Sequence, residues 1–331
     1  SDLYGQYPWN KLDAVTMPNS FSGGFGPAST IMMSKFAFEA APGSNGYWGA
    51  LMLISHELGH QWWGNFVEMA DVPSIIISEG LAEFSSNYHF EQLTGSRWGF
   101  VDNGLSYMYT VPHDEEPFLI SPYVHTSPYY YQVVYNKGSQ VFDMLRTEIG
   151  EEVLLAALSQ FAEMYGYEYA NVFELFDVIE DVSGQDLGAF FEQWLEGKGY
   201  IKAELSGEYF EDEGICRLRA RQIKGPPFTF TLPITLEHTD GSFSEQSIKI
   251  DSGDADFELA VDKPVLRVIP DPRRKQMRHL YAGLPGDLDL SGVVDGEDLV
   301  EMGFAYQVNI IMGEGYGSYF VSNEAYNGLA D

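Results

Sequence analysis

Between about residue 44 and residue 198, apolar side chains recur at three- and four-residue intervals, the period that places them on one face of an α-helix. This spacing predicts helices over Tyr47–Trp63, stopping near Gly64, and over about Ile75–Leu93, ahead of Gly95. Further helices are expected over roughly Lys137–Ile149, Glu152–Met164, Asn171–Val182 and Leu187–Leu195, punctuated by Gly150, Gly166 and Gly184. The first forty residues instead read as extended and rich in turns, with a glycine-heavy stretch at Ser22–Pro27. From about Ile201 to Leu280 the texture changes to short alternating runs. Phe228–Leu232, Ile234–Glu237, Ser247–Ile250, Phe257–Val261 and Val265–Ile269, parted by Asp-Gly, Ser-Gly and Pro signals, predict the strands of a small β-sandwich. Leu284–Asp331 differs again, with a Gly/Asp-rich loop and then a short helical run. The expectation is an α+β multidomain chain: mainly helical over residues 1–198, a β-sandwich over 199–283, and a short EF-hand-like segment over 284–331.

Composition narrows the possible partners. The chain has 331 residues, 45% of them hydrophobic, enough to build a sizeable core. Against 18 Lys+Arg stand 49 Asp+Glu, a formal net charge of −31, which argues against nucleic acid and anionic membrane surfaces as partners. The excess reads as a solubilising acidic coat. No apolar run approaches the roughly 20 residues that span a bilayer. No signal peptide is visible after Ser1, which is consistent with a processed product. The single cysteine, Cys216, lies in an alternating apolar stretch and reads as a buried thiol.

His56-Glu57-Leu58-Gly59-His60 brings in chemistry. Residues four apart share a helix face, so both imidazoles can reach one ion. A catalytic zinc takes three protein ligands and keeps one position open, so a third ligand must come from another element. Glu79 is the best candidate: eighteen residues separate it from His60, and an antiparallel return of the next helix brings it back to the pair. Glu83, one turn later on the same face, fits a carboxylate that takes a hydrogen bond from a ligating imidazole and fixes its tautomer. Glu57 points partly away from the two histidines, which suits a general base that deprotonates an attacking water and returns the proton to a departing amine. His113, beside Asp114-Glu115-Glu116, and His125 read as surface-loop residues, with cleft lining as the less common alternative.

The motif, followed by Ser78-Glu79-Gly80-Leu81-Ala82-Glu83-Phe84 and later by Tyr135-Asn136-Lys137-Gly138, resembles the gluzincin zinc peptidases of the membrane-alanyl-aminopeptidase family. The stretches Val182–Leu187 and Phe191–Leu195 are similar to the end of that family's helical half. Over roughly residues 12–275 the resemblance implies a thermolysin-like catalytic domain and then the small β-sandwich. The family's N-terminal β-domain and large C-terminal helical domain are absent, as in a fragment of a longer protein. The resemblance further implies zinc-dependent hydrolysis of peptide bonds, most simply of aminopeptidase type. It gives Tyr135 the task of donating a hydrogen bond to the oxyanion, which an un-ionised phenol can do.

One departure bears on substrate. Family aminopeptidases carry Gly-Ala-Met-Glu-Asn ahead of the zinc helix, and its Glu grips the substrate's α-amino group. Aligning Gly24 with the first glycine puts Pro27 in the place of that Glu, and no carboxylate lies between Asp13 and Glu39. The backbone of Gly23, Gly24 and Phe25 can still bind an extended peptide as an edge strand does. Glu68, Asp71 and Asp114–Glu116 are the carboxylates left to substitute. Three readings therefore stand: an aminopeptidase, an endopeptidase or altered-terminus peptidase, and a non-catalytic zinc-containing assembly module. Glu57 and Tyr135 speak against the last, since neither is needed to hold metal.

Near the C-terminus, Asp287, Asp289, Ser291, Asp295 and Asp298 place oxygen donors at EF-hand positions 1, 3, 5, 9 and 12, with the Val293 carbonyl at position 7 and Gly292 at position 6. With Asp at position 12 and a helix expected from about Glu297 to Ala305, the loop resembles a dockerin-type calcium loop. That resemblance implies Ca2+, a cohesin-type scaffold partner and a secreted or extracellular setting, where calcium is high enough to fill weak modular sites. A dockerin has two such loops, and here Asp331 matches only the first ligand of a second.

Overall fold

The structure, a computed structural model, describes residues 3–18, 21–40, 45–210, 212–223, 227–251 and 253–282. The expected calcium loop, with Asp287, Asp289, Ser291, Val293 and Asp298, lies outside the described residues, as does the helix expected after it.

The chain opens with a small sheet in the order β1-β3-β2, built from β1 (Asp13–Met17), β2 (Gly24–Phe25) and β3 (Thr30–Ser34). β1 runs parallel to β3 and β2 antiparallel to it, which leaves β2 as an edge strand. The helical part follows: α1 (Lys35–Glu39), α2 (Asn45–Gly59), α3 (Leu81–Thr94), α4 (Trp98–Thr110), α5 (Gly138–Ile149), α6 (Glu151–Tyr165), α7 (Val172–Ser183) and α8 (Gly188–Phe191). Two short strands, β4 (Val67–Met69) and β5 (Glu168–Ala170), pair in parallel across it. Among the described residues, no helix is long and apolar enough to cross a membrane.

The helices differ from expectation at several places, among them α1, which forms within the stretch expected to be extended, and the Leu187–Leu195 helix, which is α8 followed by a π-helical turn at Glu192–Glu196. α2 stops at Gly59 rather than Trp63, although His60 N still bonds His56 O at 3.2 Å and keeps the turn going. The expected Ile75–Leu93 helix opens with a π-helical turn at Ile76–Gly80, and the expected Lys137–Ile149 helix is preceded by one at Gln132–Lys137. α4 was not anticipated, because Gly99, Asn103, Gly104 and a run of aromatic and β-branched residues are poor helix formers. Packing overrides that propensity: Phe100, Leu105 and Tyr107 are buried. α7 is specified locally by a capping box, in which Asn171 accepts from Glu174 N while the Glu174 side chain accepts from Asn171 N.

Beyond residue 200 the strands β6 (Ile201–Phe210), β7 (Ile215–Gln222), β8 (Phe230–His238), β9 (Phe243–Ile250), β10 (Asp254–Ala260), β11 (Val265–Pro270) and β12 (Arg278–Ala282) form two sheets, ordered β10-β7-β6-β12 and β11-β8-β9. The two strands expected on either side of Pro233 are one, β8. The Pro233 carbonyl accepts from Asp271 N at 2.7 Å, and its missing N–H does not end the strand. Along β8 every second residue is buried, the period of a sheet with one face covered. A single apolar cluster runs from the helices (Trp63, Phe84, Phe142, Phe161) into both sheets (Leu205, Leu218, Leu232, Leu236, Ile248). Cys216 lies in that cluster, buried as expected. Charge also crosses the junction: buried Arg97 donates to Glu91, to Asp143 and, through Nε, to the carbonyl of Arg273 at 2.8 Å.

Candidate active site

α2 and α3 cross at a close approach. A Cβ on Gly59 would lie 3.1 Å from the Ala82 backbone, so the glycine within the His-Glu-Leu-Gly-His motif lets the two helices meet. A second crossing joins the π-turns at Ile76–Gly80 and Gln132–Lys137: a Cβ on Gly138 would lie 3.3 Å from the Cα of Gly80. Glu79 precedes one glycine and Tyr135 lies three residues before the other, so the crossing sets both side chains beside the histidines of α2. An extra residue in a helical turn redirects side chains, and here it redirects Glu79 and Tyr135.

His56, His60 and Glu79 converge: one ligand atom from each falls within 4.8 Å of the others. His56 Nδ1 is bonded to Glu83 Oε2 at 2.9 Å, and His60 Nδ1 to the Trp63 carbonyl at 3.0 Å. These bonds put the ring protons on Nδ1 and turn both Nε2 atoms toward Glu79 Oε2, at 3.5 and 3.3 Å. Such separations are close to the roughly 3.3 Å edge of a tetrahedron whose centre lies about 2.0–2.1 Å from each ligand. Two imidazoles and a carboxylate are also a common donor set for catalytic zinc. The residues therefore fit zinc, with His56, His60 and Glu79 as its holders. Glu83 is itself anchored by Asn103 of α4, whose Nδ2 donates to Oε1 at 2.9 Å.

Without metal, burial disfavours a charged His56, but hydrogen bonds to Glu79 and Glu83 outweigh it and raise the pKa to about 10. The same contacts hold Glu79 far below the usual carboxylate range despite its burial. The proton on His56 must leave before Nε2 can bind a metal. Zinc affinity, measured by chelator competition, is therefore expected to rise about tenfold per pH unit between about pH 7 and 9. A flat profile would show that His56 is neutral before metal arrives.

Glu57 is only 4% exposed and lies under the glycine stretch. A Cβ on Gly24 would overlap its carboxylate, and one on Gly26 would press on its backbone carbonyl. Gly24 thus allows β2 to pass directly over the Glu57 carboxyl. Gln61, fully buried, fixes that loop: it accepts from Ser29 N at 2.8 Å and donates to the Pro27 carbonyl at 3.0 Å. Asn65 ties the Gly26 carbonyl to that of His60. Burial pushes the Glu57 carboxyl above its ordinary value, an effect that His56 and His60 partly offset.

The Tyr135 ring stacks on His56 (centroids 5.7 Å apart, 11° between planes) and on Tyr131 (4.7 Å, 23°). Its hydroxyl bonds Glu79, and burial together with that carboxylate's charge pushes the phenol well above its usual pKa. It therefore stays protonated and able to donate.

The remaining sequence expectations sort as follows. Gly23, Gly24 and Phe25 form the loop over Glu57, and Phe25 is exposed. His113 packs on Gly199 near the entry to β6, and His125 is exposed on a 3-10 turn. Of the carboxylates proposed as substitutes for the missing glutamate, Asp71 caps the turn at Ser74, Glu68 bonds Tyr169 and Glu116 is buried in another network. Gln61, Asn65 and Asn103 were not singled out from sequence, and Glu116 was considered only as a substitute for the missing glutamate. Their chemistry is ordinary, and only the fold gives it a place.

Known proteins share this fold and resemble much of this sequence. Over 95% of the chain the fold is similar to a crystal structure of Legionella pneumophila aminopeptidase A in complex with aspartic acid, with TM-score 0.70, 17% identity and 38% of that chain covered. In sequence it is 27% identical over 220 residues to aminopeptidase M1-C of rice (Oryza sativa subsp. japonica), covering 62% of this chain and 25% of the relative. It is 24% identical over 222 residues to a leucyl aminopeptidase of Saccharolobus solfataricus, covering 62% and 28%. The chain thus spans about a quarter of the length of these curated relatives. Residues 1–194, more than half of the chain and all of the site just described, match the peptidase family M1 domain. The chain belongs to peptidase family M1.

Proposed function

We propose that this chain hydrolyses peptide bonds with zinc held by His56, His60 and Glu79, and that it does so as an aminopeptidase. The observation that carries the reading is the convergence of both Nε2 atoms on Glu79 with two groups a structural metal would not need, the buried carboxyl of Glu57 and the Tyr135 hydroxyl. When bound, zinc supplies a Lewis acid and lowers the pKa of water to about 7. Glu57, its carboxyl held above its ordinary pKa by burial, takes the proton from the attacking water and returns it to the departing amine. Tyr135 donates to the carbonyl oxygen as negative charge develops there. The open edge of β2 aligns an extended peptide through its backbone. The aminopeptidase names of the matched relatives support the exopeptidase form.

A specific observation favours a rival form. The loop over Glu57 carries no carboxylate, so nothing there holds a free α-amino group by charge. Hydrolysis of one peptide in free and N-acetylated form separates the two. An aminopeptidase should cut the free peptide at least about a hundredfold faster, because the site must pair or reject the terminal charge. Equal rates identify an endopeptidase.

The spacing of Asp287, Asp289, Ser291, Val293 and Asp298 supports calcium binding in the C-terminal segment. By the same reading a cohesin-type scaffold is its partner and the setting is extracellular.

A further inference from the structure

Two residues beyond Tyr135, Lys137 ends the π-turn with its side chain fully buried (0% exposed). Its Nζ donates to Glu116 Oε1 at 2.8 Å and to the Gly197 carbonyl at 3.0 Å, and lies over the Tyr107 ring at 5.5 Å. Glu116, 2% exposed, also accepts from the Tyr107 hydroxyl at 2.6 Å and, through Oε2, from Gly199 N at 2.7 Å. Tyr107 in turn donates to the Gly199 carbonyl at 3.1 Å. Four segments meet on this one ion pair: α4, the loop after it, the turn that carries Tyr135, and residues 197–199, which lead into β6. Buried ion pairs often add little stability over apolar residues of the same shape, so their value lies in the arrangement they specify.

We infer that Lys137 and Glu116 are positioning residues that hold the Tyr135 hydroxyl in register with the metal ligands, and that the segment entering β6 is part of this device. The π-turn is fixed at two points. Gly138 abuts Gly80 on the side of Glu79, and Lys137 ties the end of the turn to Glu116 and Gly197. Tyr135 lies just before these two anchors. With one anchor released, the turn can rotate about the other, and the hydroxyl moves relative to His56 and Glu79. A misplacement of about 1 Å can cost a hundredfold in rate.

Removing one partner would strand the other's charge in the interior, so the test replaces both, as Lys137→Met with Glu116→Gln. The pair keeps the volume, and an amide at 116 can still accept from Gly199 N. The double variant is expected to bind zinc as the parent does, to lose about ten- to a hundredfold in kcat on a peptide, and to change KM by less than about twofold. In a Tyr135→Phe background the same double change should cost less than about twofold, because the group it positions is gone. Losses that simply multiply overturn the inference, since a general structural weakening would act in both backgrounds. The kinetic cycle rests on the peptidase reading. A second measurement does not: the 19F resonance of 3-fluorotyrosine placed at position 135 should shift in the double variant. An unmoved resonance overturns the inference whether or not the parent cleaves the peptide, and a parent without activity overturns the peptidase reading alone.

Discussion

Glu57→Gln is expected to lower kcat/KM for a peptide by about 10²- to 10⁴-fold while leaving zinc binding at the parental level. The substitution keeps the shape of a side chain packed beneath Gly24 and Gly26, so the fold has no reason to change. It removes the ability to take a proton from water and hand it to the leaving amine. Glu57 is not part of the convergent ligand set, so metal content should not move. Zinc content and rate are to be measured on the same sample. Parental activity in a zinc-loaded variant sinks the catalytic assignment, and loss of metal along with activity makes Glu57 a support of the site and not its base.

Tyr135→Phe is expected to reduce kcat by about 10²- to 10³-fold with KM nearly unchanged, the pattern of an interaction made in the transition state only. The phenyl ring can keep its stacking on His56 and Tyr131, so the comparison isolates the hydroxyl. Because the phenol is held well above its usual pKa by burial and by Glu79, its ionisation should not produce an alkaline fall in rate below about pH 10. A variant that raises KM at constant kcat would make Tyr135 a binding residue instead.

Much of the site is legible in the sequence because its spacings obey local geometry. Two histidines four apart share a helix face whatever the rest of the chain does, and the Glu between them must point elsewhere. The π-turns under Glu79 and Tyr135 are a different matter. Isolated sequence periodicity reads the first as the ordinary opening turn of α3 and leaves the second outside the helix expected from Lys137, and only the tertiary structure shows both turns meeting where Gly80 abuts Gly138. Tyr135 illustrates the same limit. Among four clustered tyrosines nothing in residue type marks it out, and family resemblance alone selected it.

The elements divide along the same line. Helices α5, α6 and α7 follow their apolar period and their glycine or asparagine boundaries. α4 does not, because its glycines and aromatics disfavour a helix that only burial makes stable. It supplies Asn103 to Glu83 and Tyr107 to Glu116, so an element hidden from sequence reading carries two supports of the site. By itself, the sequence determined which groups the proposed chemistry uses: two imidazoles and two carboxylates, fixed by spacings of one and four residues and by one longer return. Tertiary structure alone decided where that chemistry points. Orientation depends on the crossings Gly59–Ala82 and Gly80–Gly138 and on the buried Lys137–Glu116 pair, all contacts between residues distant in sequence, which no local pattern encodes.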